Sequence, residues 1–282
     1  MSAKAVAARA IRRVVPRPVR NWLRDPRQTL EWVGDSVAFA AGRTIAVDLA
    51  DGWTVAAHPL AARRAYFAQL ADAVQRRELD GFIAACTPGM QLLDLGAHFG
   101  VFSLAALHFG GPAARAVAVD PSPTAARMLA IQARLNGVAD RMAIVQACVS
   151  DTVGTGGMLD TGVIGAGYFV PVVGDTARPD TTSVEVVTID ALCERHRVAP
   201  THIKIDVEGA ELEVLAGGRG VILSARPALF VEIHGDMLRA RGQDPQAVVD
   251  LLRGWGYRVE DVAGEPLKSA LDRDVCRVVA RP

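Results

Sequence analysis

The 282-residue chain carries no excess charge of either sign, because 31 basic and 31 acidic side chains cancel at pH 7. A neutral molecule projects no long-range field, which removes a general attraction to nucleic acid or to an anionic membrane. Cysteine is scarce, with 4 residues, and no Cys-x-x-Cys or His-x-x-x-His pair occurs. Cys86, Cys148, Cys193 and Cys276 lie far apart, three of them in apolar runs. That suits buried thiols in a reducing cytoplasm and argues against disulfides or a zinc cluster. Also missing are an apolar run of bilayer length and the hydrophobic segment of a secretory signal. No internal repeat or single-residue tract is present.

Half the residues are apolar, enough for a substantial core in one large α/β domain with appendages, or in two domains. Charge is uneven only at the start, where Lys4, Arg9, Arg12, Arg13, Arg17, Arg20, Arg24 and Arg27 face Asp25 alone among the acids. Residues 1–35 therefore read as a basic arm. A solvated extension is the favoured reading, with peripheral contact to an anionic membrane surface, or a transit peptide, as alternatives. Residues 36–89 read as an extension: a hairpin of strands 44–48 and 53–57 around Asp51-Gly52, then helical spacing over 61–85 stopped by Thr87-Pro88-Gly89.

From residue 90 to 282 strands and helices alternate. Strands are predicted at 91–95, 116–120, 142–149, 202–207, 227–233, 256–261 and 274–280, and helices at 99–109, 122–136, 188–197, 209–223 and 244–254. This rhythm predicts an α/β fold: a Rossmann-like, doubly wound, mostly parallel sheet with an antiparallel hairpin at its edge. Residues 151–183 interrupt it with seven glycines and read as an inserted lid.

The first chemical signal is Leu92-Leu93-Asp94-Leu95-Gly96-Ala97-His98-Phe99-Gly100, an apolar strand running into an acid and two glycines just before a helix. Gly96 permits a sharp turn and close backbone approach to a ligand, and Gly100 permits close packing in the next helix. A second strand ends in Asp120-Pro121-Ser122-Pro123, where a carboxylate can accept both ribose hydroxyl hydrogens. Asp94 is a candidate for the ammonium end of a methionine moiety, directly or through water. The nicotinamide fingerprint Gly-x-Gly-x-x-Gly is absent, so the pair suggests S-adenosylmethionine over a dinucleotide. Asp151, after Cys148-Val149-Ser150, is a candidate partner for an adenine amino group, or simply a turn cap.

The second signal is Ile203-Lys204-Ile205-Asp206-Val207-Glu208-Gly209-Ala210-Glu211, which puts charge in what should be a buried strand. Alternation sets Lys204, Asp206 and, if the chain stays extended, Glu208 on one face. Unpaired charges there would be costly, so they must pair, bind a ligand or sit at a wet edge. Glu211 reads as first-turn helix chemistry. One strand later Glu232 and His234 share a face, and His234 is the natural general base near neutral pH. Alternatively, the three carboxylates and the imidazole hold a divalent cation that acidifies a hydroxyl. The remaining histidines read as surface or structural residues.

Together these motifs, with Val187-Thr188-Ile189-Asp190 and Val231-Glu232-Ile233-His234, resemble the FkbM-type family of class I S-adenosylmethionine-dependent methyltransferases over roughly residues 75–235. The resemblance implies a seven-stranded sheet, cofactor contacts at Asp94, Gly96 and Asp120, and methylation of a hydroxyl on a sugar, glycolipid, polyketide or related metabolite. The cofactor set is expected to extend to Ala97, Gly100, Pro121, Ser122 and Asp151, and the catalytic set to be Asp206, Glu208, Glu232, His234 and Lys204. His98 stands where the family usually has asparagine, and Asp120 where glutamate is usual. A non-catalytic S-adenosylmethionine-binding or scaffold protein is the rival reading; it would keep the turn but would not need the charged strand.

Overall fold

In the computed structural model the described residues are 26–63, 72–159, 168–170, 181–264 and 266–282. Helix α1 (Pro26–Ala40) leads into strands β1 (Ile45–Ala50) and β2 (Trp53–Ala57), then α2 (Pro59–Arg63) and α3 (Ala73–Ala85). Strand β3 (Gln91–Leu95), α4 (Val101–Phe109), β4 (Arg115–Val119), α5 (Pro123–Leu135) and β5 (Met142–Val145) follow. Next come β6 (Ala147–Val149), β7 (Gly154–Leu159), β8 (Tyr168–Val170), β9 (Thr181–Val187), α6 (Ile189–His196) and β10 (His202–Ile205). The chain ends with α7 (Glu211–Ala216), α8 (Arg219–Ala225), β11 (Ala228–His234), α9 (Gly235–Ala240), α10 (Gln246–Gly254), β12 (Arg258–Asp261), α11 (Leu267–Leu271) and β13 (Val275–Arg281).

Local chemistry marks several starts. Asp72 caps α3 by accepting from the Val74 and Gln75 amides, and Ser122 caps α5 ahead of a first-turn proline. Thr188 does the same for α6 through the Ala191 amide. Each side-chain oxygen satisfies an amide the helix leaves without an internal partner.

The main sheet has seven strands in the order β12-β13-β11-β10-β3-β4-β5. All neighbours from β11 to β5 pair in parallel, while β13 runs antiparallel to both β11 and β12. The antiparallel strand is thus one place in from the edge, and α11 lies between the last two strands. One face carries Leu93, Ile203 and Val231 in a core with α6, α7 and α10. The other carries Leu92 and Phe230 against Phe82 of α3 and Phe102 of α4. Coverage on both faces explains why β3 and β4 are nearly continuously apolar.

Four expectations are corrected. The strand expected over 142–149 divides after Val145, with β5 in the main sheet and β6 in a four-stranded sheet of order β6-β9-β7-β8. The glycine-rich stretch expected as an irregular lid supplies β7, β8 and part of β9; residues 160–167 and 171–180 lie outside the described residues. The helix expected over 209–223 breaks at Gly217-Gly218, where added Cβ atoms would lie 2.2 Å from the Ser150 carbonyl oxygen and 2.6 Å from Ile189. The basic arm is helical from Pro26, while residues 1–25, with most of its charge, lie outside the described residues. The helical spacing read over 61–85 falls partly on 64–71, also outside them. No helix among the described residues is long and apolar enough to cross a membrane.

After β3 the chain winds outward through β4 and β5, then returns beside β3 as β10 and winds the other way through β11. This reversal opens a crevice at the carboxyl ends of β3 and β10. Leu95 and Ile205 are register partners, so the two exit loops run side by side, and the Asp206 amide donates to the Leu95 carbonyl at 2.9 Å. Gly96, at φ +79°, is so close that a Cβ would sit 1.7 Å from the Asp206 carbonyl oxygen. Gly96→Ala is expected to cost more than about 3 kcal/mol, from a backbone clash added to a left-handed φ. Gly34→Ala, in α1 with nothing within 4 Å, should be neutral or stabilising by up to about 1 kcal/mol. Thermal and urea denaturation of the two variants measures both.

Candidate functional site

The turn after β3 is held by the end of β4: the Gly96 and Ala97 amides both donate to the Val119 carbonyl, at 2.9 and 3.0 Å. His98 then adopts a left-handed φ of +47°, a region where Asn, Asp and His are the enriched non-glycine residues. Its amide donates to Asp120 Oδ2 at 3.0 Å, and the Ser122 amide donates to Asp120 Oδ1 at 2.8 Å. Both oxygens keep a further lone pair. Burial pushes the Asp120 carboxyl up to about 6 against the opposing pull of the Ser122 and His98 amides. The His98 ring stacks on Phe99 with centroids 4.0 Å apart, and burial lowers it to about 4, leaving it neutral.

Two glycines in this turn have packing roles. The missing side chain of Gly96 is demanded by the Asp206 backbone. That of Gly100 (φ +87°) makes room for Leu129 of α5, whose Cδ2 would lie 2.7 Å from a Cβ. Asp94 is 1% exposed and accepts from Ser103 Oγ at 2.6 Å. Burial raises its carboxyl to about 6, with Ser103 opposing. Asp151 is exposed at the end of β6, receiving Ser150 Oγ at 3.3 Å.

Lys204 is 1% exposed and lies in register between Asp94 of β3 and Phe230 of β11. Its Nζ is 3.1 Å from Glu78 Oε1, 3.8 Å from Glu232 Oε2 and 3.9 Å from Asp206 Oδ2, and 5.0 Å from the Phe102 ring centroid. Burial alone would lower its ammonium, but Glu78, Asp206 and Glu232 outweigh burial and raise it. Arg277 of β13 closes the ring, with Nε 3.0 Å from Glu78 Oε2 and Nη2 2.6 Å from Glu232 Oε1. Glu232 and Arg277 are cross-strand partners, which brings their side chains together on one face. Burial and the Asp206 charge raise the Glu232 carboxyl, with Lys204 opposing.

Beyond this ring stands His234, 5% exposed. Its Nδ1 is 2.9 Å from Glu211 Oε1, while Nε2 faces Glu208 Oε2 at 3.5 Å, Asp206 Oδ1 at 3.7 Å and Glu232 Oε1 at 3.9 Å. Burial lowers the imidazole, but the Glu211 hydrogen bond and the Asp206 and Glu208 charges prevail and raise it to about 9. Burial also raises the Glu208 carboxyl. Glu208 reaches the group because the strand does not stay extended: at φ +54° it turns left-handed just before Gly209.

The structure gathers Lys204, Asp206, Glu208, Glu232 and His234 in one group beside the Gly96 turn. It adds three residues that sequence reading missed. Glu211 is 0% exposed and accepts from the Gly209 amide and His234, so it is more than a favourable first-turn charge. Glu78 and Arg277 arrive from α3 and β13, and the signal for each was a charge placed where the pattern called for an apolar residue.

An open sheet with its reversal between β3 and β10, an acid closing β4 and a buried polar group at β10 and β11 defines a Rossmann-like α/β protein of the methyltransferase class. The chain belongs to the FkbM methyltransferase domain family, which matches residues 94–259, more than half its length. No curated protein matches it. Among solved structures it is similar to an FkbM methyltransferase from Methylobacillus flagellatus, with 18% identity and a TM-score of 0.46 over 78% of this chain. It spans 56% of the length of that relative. A precorrin-6y C5,15-methyltransferase from Geobacter metallireducens is similar at 12% identity and a TM-score of 0.41, covering 74% of this chain and 87% of that one. An O-methyltransferase from Bacillus cereus in complex with SAH is similar at 11% identity and a TM-score of 0.42, covering 73% and 79%.

Removing one member of a buried charge group leaves the others uncompensated. Lys204→Met is therefore expected to lower stability by about 3–5 kcal/mol, measured by urea denaturation with circular dichroism as the readout.

Proposed function

We propose that this protein transfers a methyl group from S-adenosylmethionine to a hydroxyl of a sugar, glycolipid, polyketide or related metabolite. The observation that carries the reading is the contact of Gly96 with the Asp206 backbone, which sets a nucleoside-type turn directly against a polar group suited to a hydroxyl acceptor. On this reading Asp120 accepts hydrogen bonds from the ribose hydroxyls through the lone pairs that His98 and Ser122 leave free, and the turn at Gly96 and Ala97 lies along the cofactor. Asp94 acts from beneath, by fixing Ser103 and the start of α4.

The acceptor oxygen attacks the sulfonium methyl carbon, the sulfur–carbon bond breaks with its electron pair on sulfur, and S-adenosylhomocysteine leaves. The hydroxyl proton passes to the Asp206, Glu208, Glu232 and His234 group, while buried Lys204 holds the carboxylates in place. The cofactor already carries the reactive group, so orientation and water exclusion supply most of the acceleration.

Incubation with tritiated-methyl cofactor and extracts of the native cell should label a hydroxyl-bearing metabolite as its methyl ether. Binding of S-adenosylhomocysteine without label transfer to any acceptor would favour a non-catalytic binder instead. Asp120→Asn should weaken S-adenosylhomocysteine roughly tenfold or more, the scale of losing a charged hydrogen bond. Because the Asp120 carboxyl sits near 6 and only its ionised form accepts both hydroxyls, affinity should fall as pH drops through 6. Calorimetric titrations between pH 5 and 8, spanning about one to two units on either side of that value, measure it; a flat profile removes Asp120 from the cofactor site.

A further inference from the structure

We propose that Asp206, Glu232 and Nε2 of His234 form a binding site for one divalent metal ion of the manganese or zinc type. Its role rests on the methyl-transfer reading, but its existence does not. One carboxylate oxygen from each acid and one imidazole nitrogen lie within 4.8 Å of one another.

The imidazole supplies the decisive detail. Glu211, wholly buried, sits 2.9 Å from Nδ1 and also accepts from the Gly209 amide, so Nδ1 is the donor and Nε2 points inward. There Nε2 meets only carboxylate oxygens, at 3.5, 3.7 and 3.9 Å. A neutral imidazole would set its lone pair against theirs, so a cation belongs between them. Without the ion a proton on Nε2 fills that place, in keeping with the imidazole raised to about 9, yet none of the three distances closes to the length of a charge-assisted hydrogen bond, about 2.7–2.9 Å. Two atoms each about 2.1 Å from a shared ion instead lie about 3.0–4.2 Å apart, depending on the angle between them, and the observed spacings fall in that range. A histidine whose outer nitrogen donates to a carboxylate is also the usual support of a metal-binding imidazole.

Charge points the same way. Among the described residues, Glu78 lies between Lys204 and Arg277, and Glu232 shares both cations. Asp206 faces Lys204 at 3.9 Å and the His234 ring at 3.7 Å. One divalent ion at the triad offsets the charges of Asp206 and the neighbouring Glu208. Bound there, it would take the acceptor hydroxyl as a further ligand and ease loss of its proton to a carboxylate.

The test uses the full chain, stripped with chelator, and Mn²⁺ as probe. Electron paramagnetic resonance should show one saturable Mn²⁺ per chain, and pulsed measurements a single imidazole nitrogen coupling. Asp206→Asn and Glu232→Gln should each weaken binding tenfold or more, and Glu211→Gln about 10–100-fold, with circular dichroism confirming the fold. Where a variant does not fold, the nitrogen coupling in the unaltered protein decides. No saturable binding, binding without nitrogen coupling, or binding undiminished in the folded variants overturns the site. Methyl transfer that persists in chelator with no Mn²⁺ bound overturns the ion's role in the reaction and leaves the methyltransferase standing. Mn²⁺ bound with nitrogen coupling but no methyl transfer supports the ion and removes the proposed reaction.

Discussion

A positive charge buried in the middle of the sheet organises this molecule. Lys204 sits on a central strand with its ammonium withdrawn from water, a placement that costs several kcal/mol unless opposite charges surround it. Glu78, Glu232 and Asp206 do so from three segments, with Arg277 completing the circle from a fourth. The requirement reaches across the chain: α3 must lie over the sheet, β13 must insert beside β11, and β11 must stand next to β10. Each constraint belongs to a different part of the sequence, and the ammonium links them.

The same arrangement explains why the site has two unlike halves in contact. The turn after β3 is made of backbone amides, glycines and two buried acids. The group at the ends of β10 and β11 is made of long charged side chains. Gly96 lets the halves touch, because any larger residue would strike the Asp206 backbone. A methyl group passed from a cofactor on one side to an oxygen on the other needs such closeness, since transfer depends on holding the reacting atoms nearly in contact.

Charge in this region is unevenly compensated. Lys204 and Arg277 face Glu78 and Glu232, whereas Asp206 and Glu208 crowd around one imidazole nitrogen. Perturbed acids and an imidazole clustered in this way are found both in functional sites and in structural ion-pair networks. Left-handed backbone at both His98 and Glu208, one in each half, is strain of the kind that collects at functional positions.

The sequence by itself determined the alternation of strands and helices, the glycine turn, the acid closing β4 and the charged strand, because periodicity, turn residues and charge in apolar runs are local properties. It also marked Asp206, Glu232 and His234 by alternation along their strands, whereas Glu208 joins them through a left-handed turn that only the structure shows. Only the tertiary structure decided which partners these side chains meet. Glu78 and Arg277 are separated by most of the chain, and nothing local says that they meet beside Lys204. The reversal between β3 and β10 brings Asp206 to Gly96, and gives that glycine a packing role the sequence did not show. Glu211 passed as ordinary helix chemistry until the fold closed His234 over it, because a hydrogen bond between residues 23 apart exists only once two strands and a helix share a core. The division of β5 from β6 followed from pairing as well, since a strand's sheet is chosen by the neighbours available to it, not by its own residues.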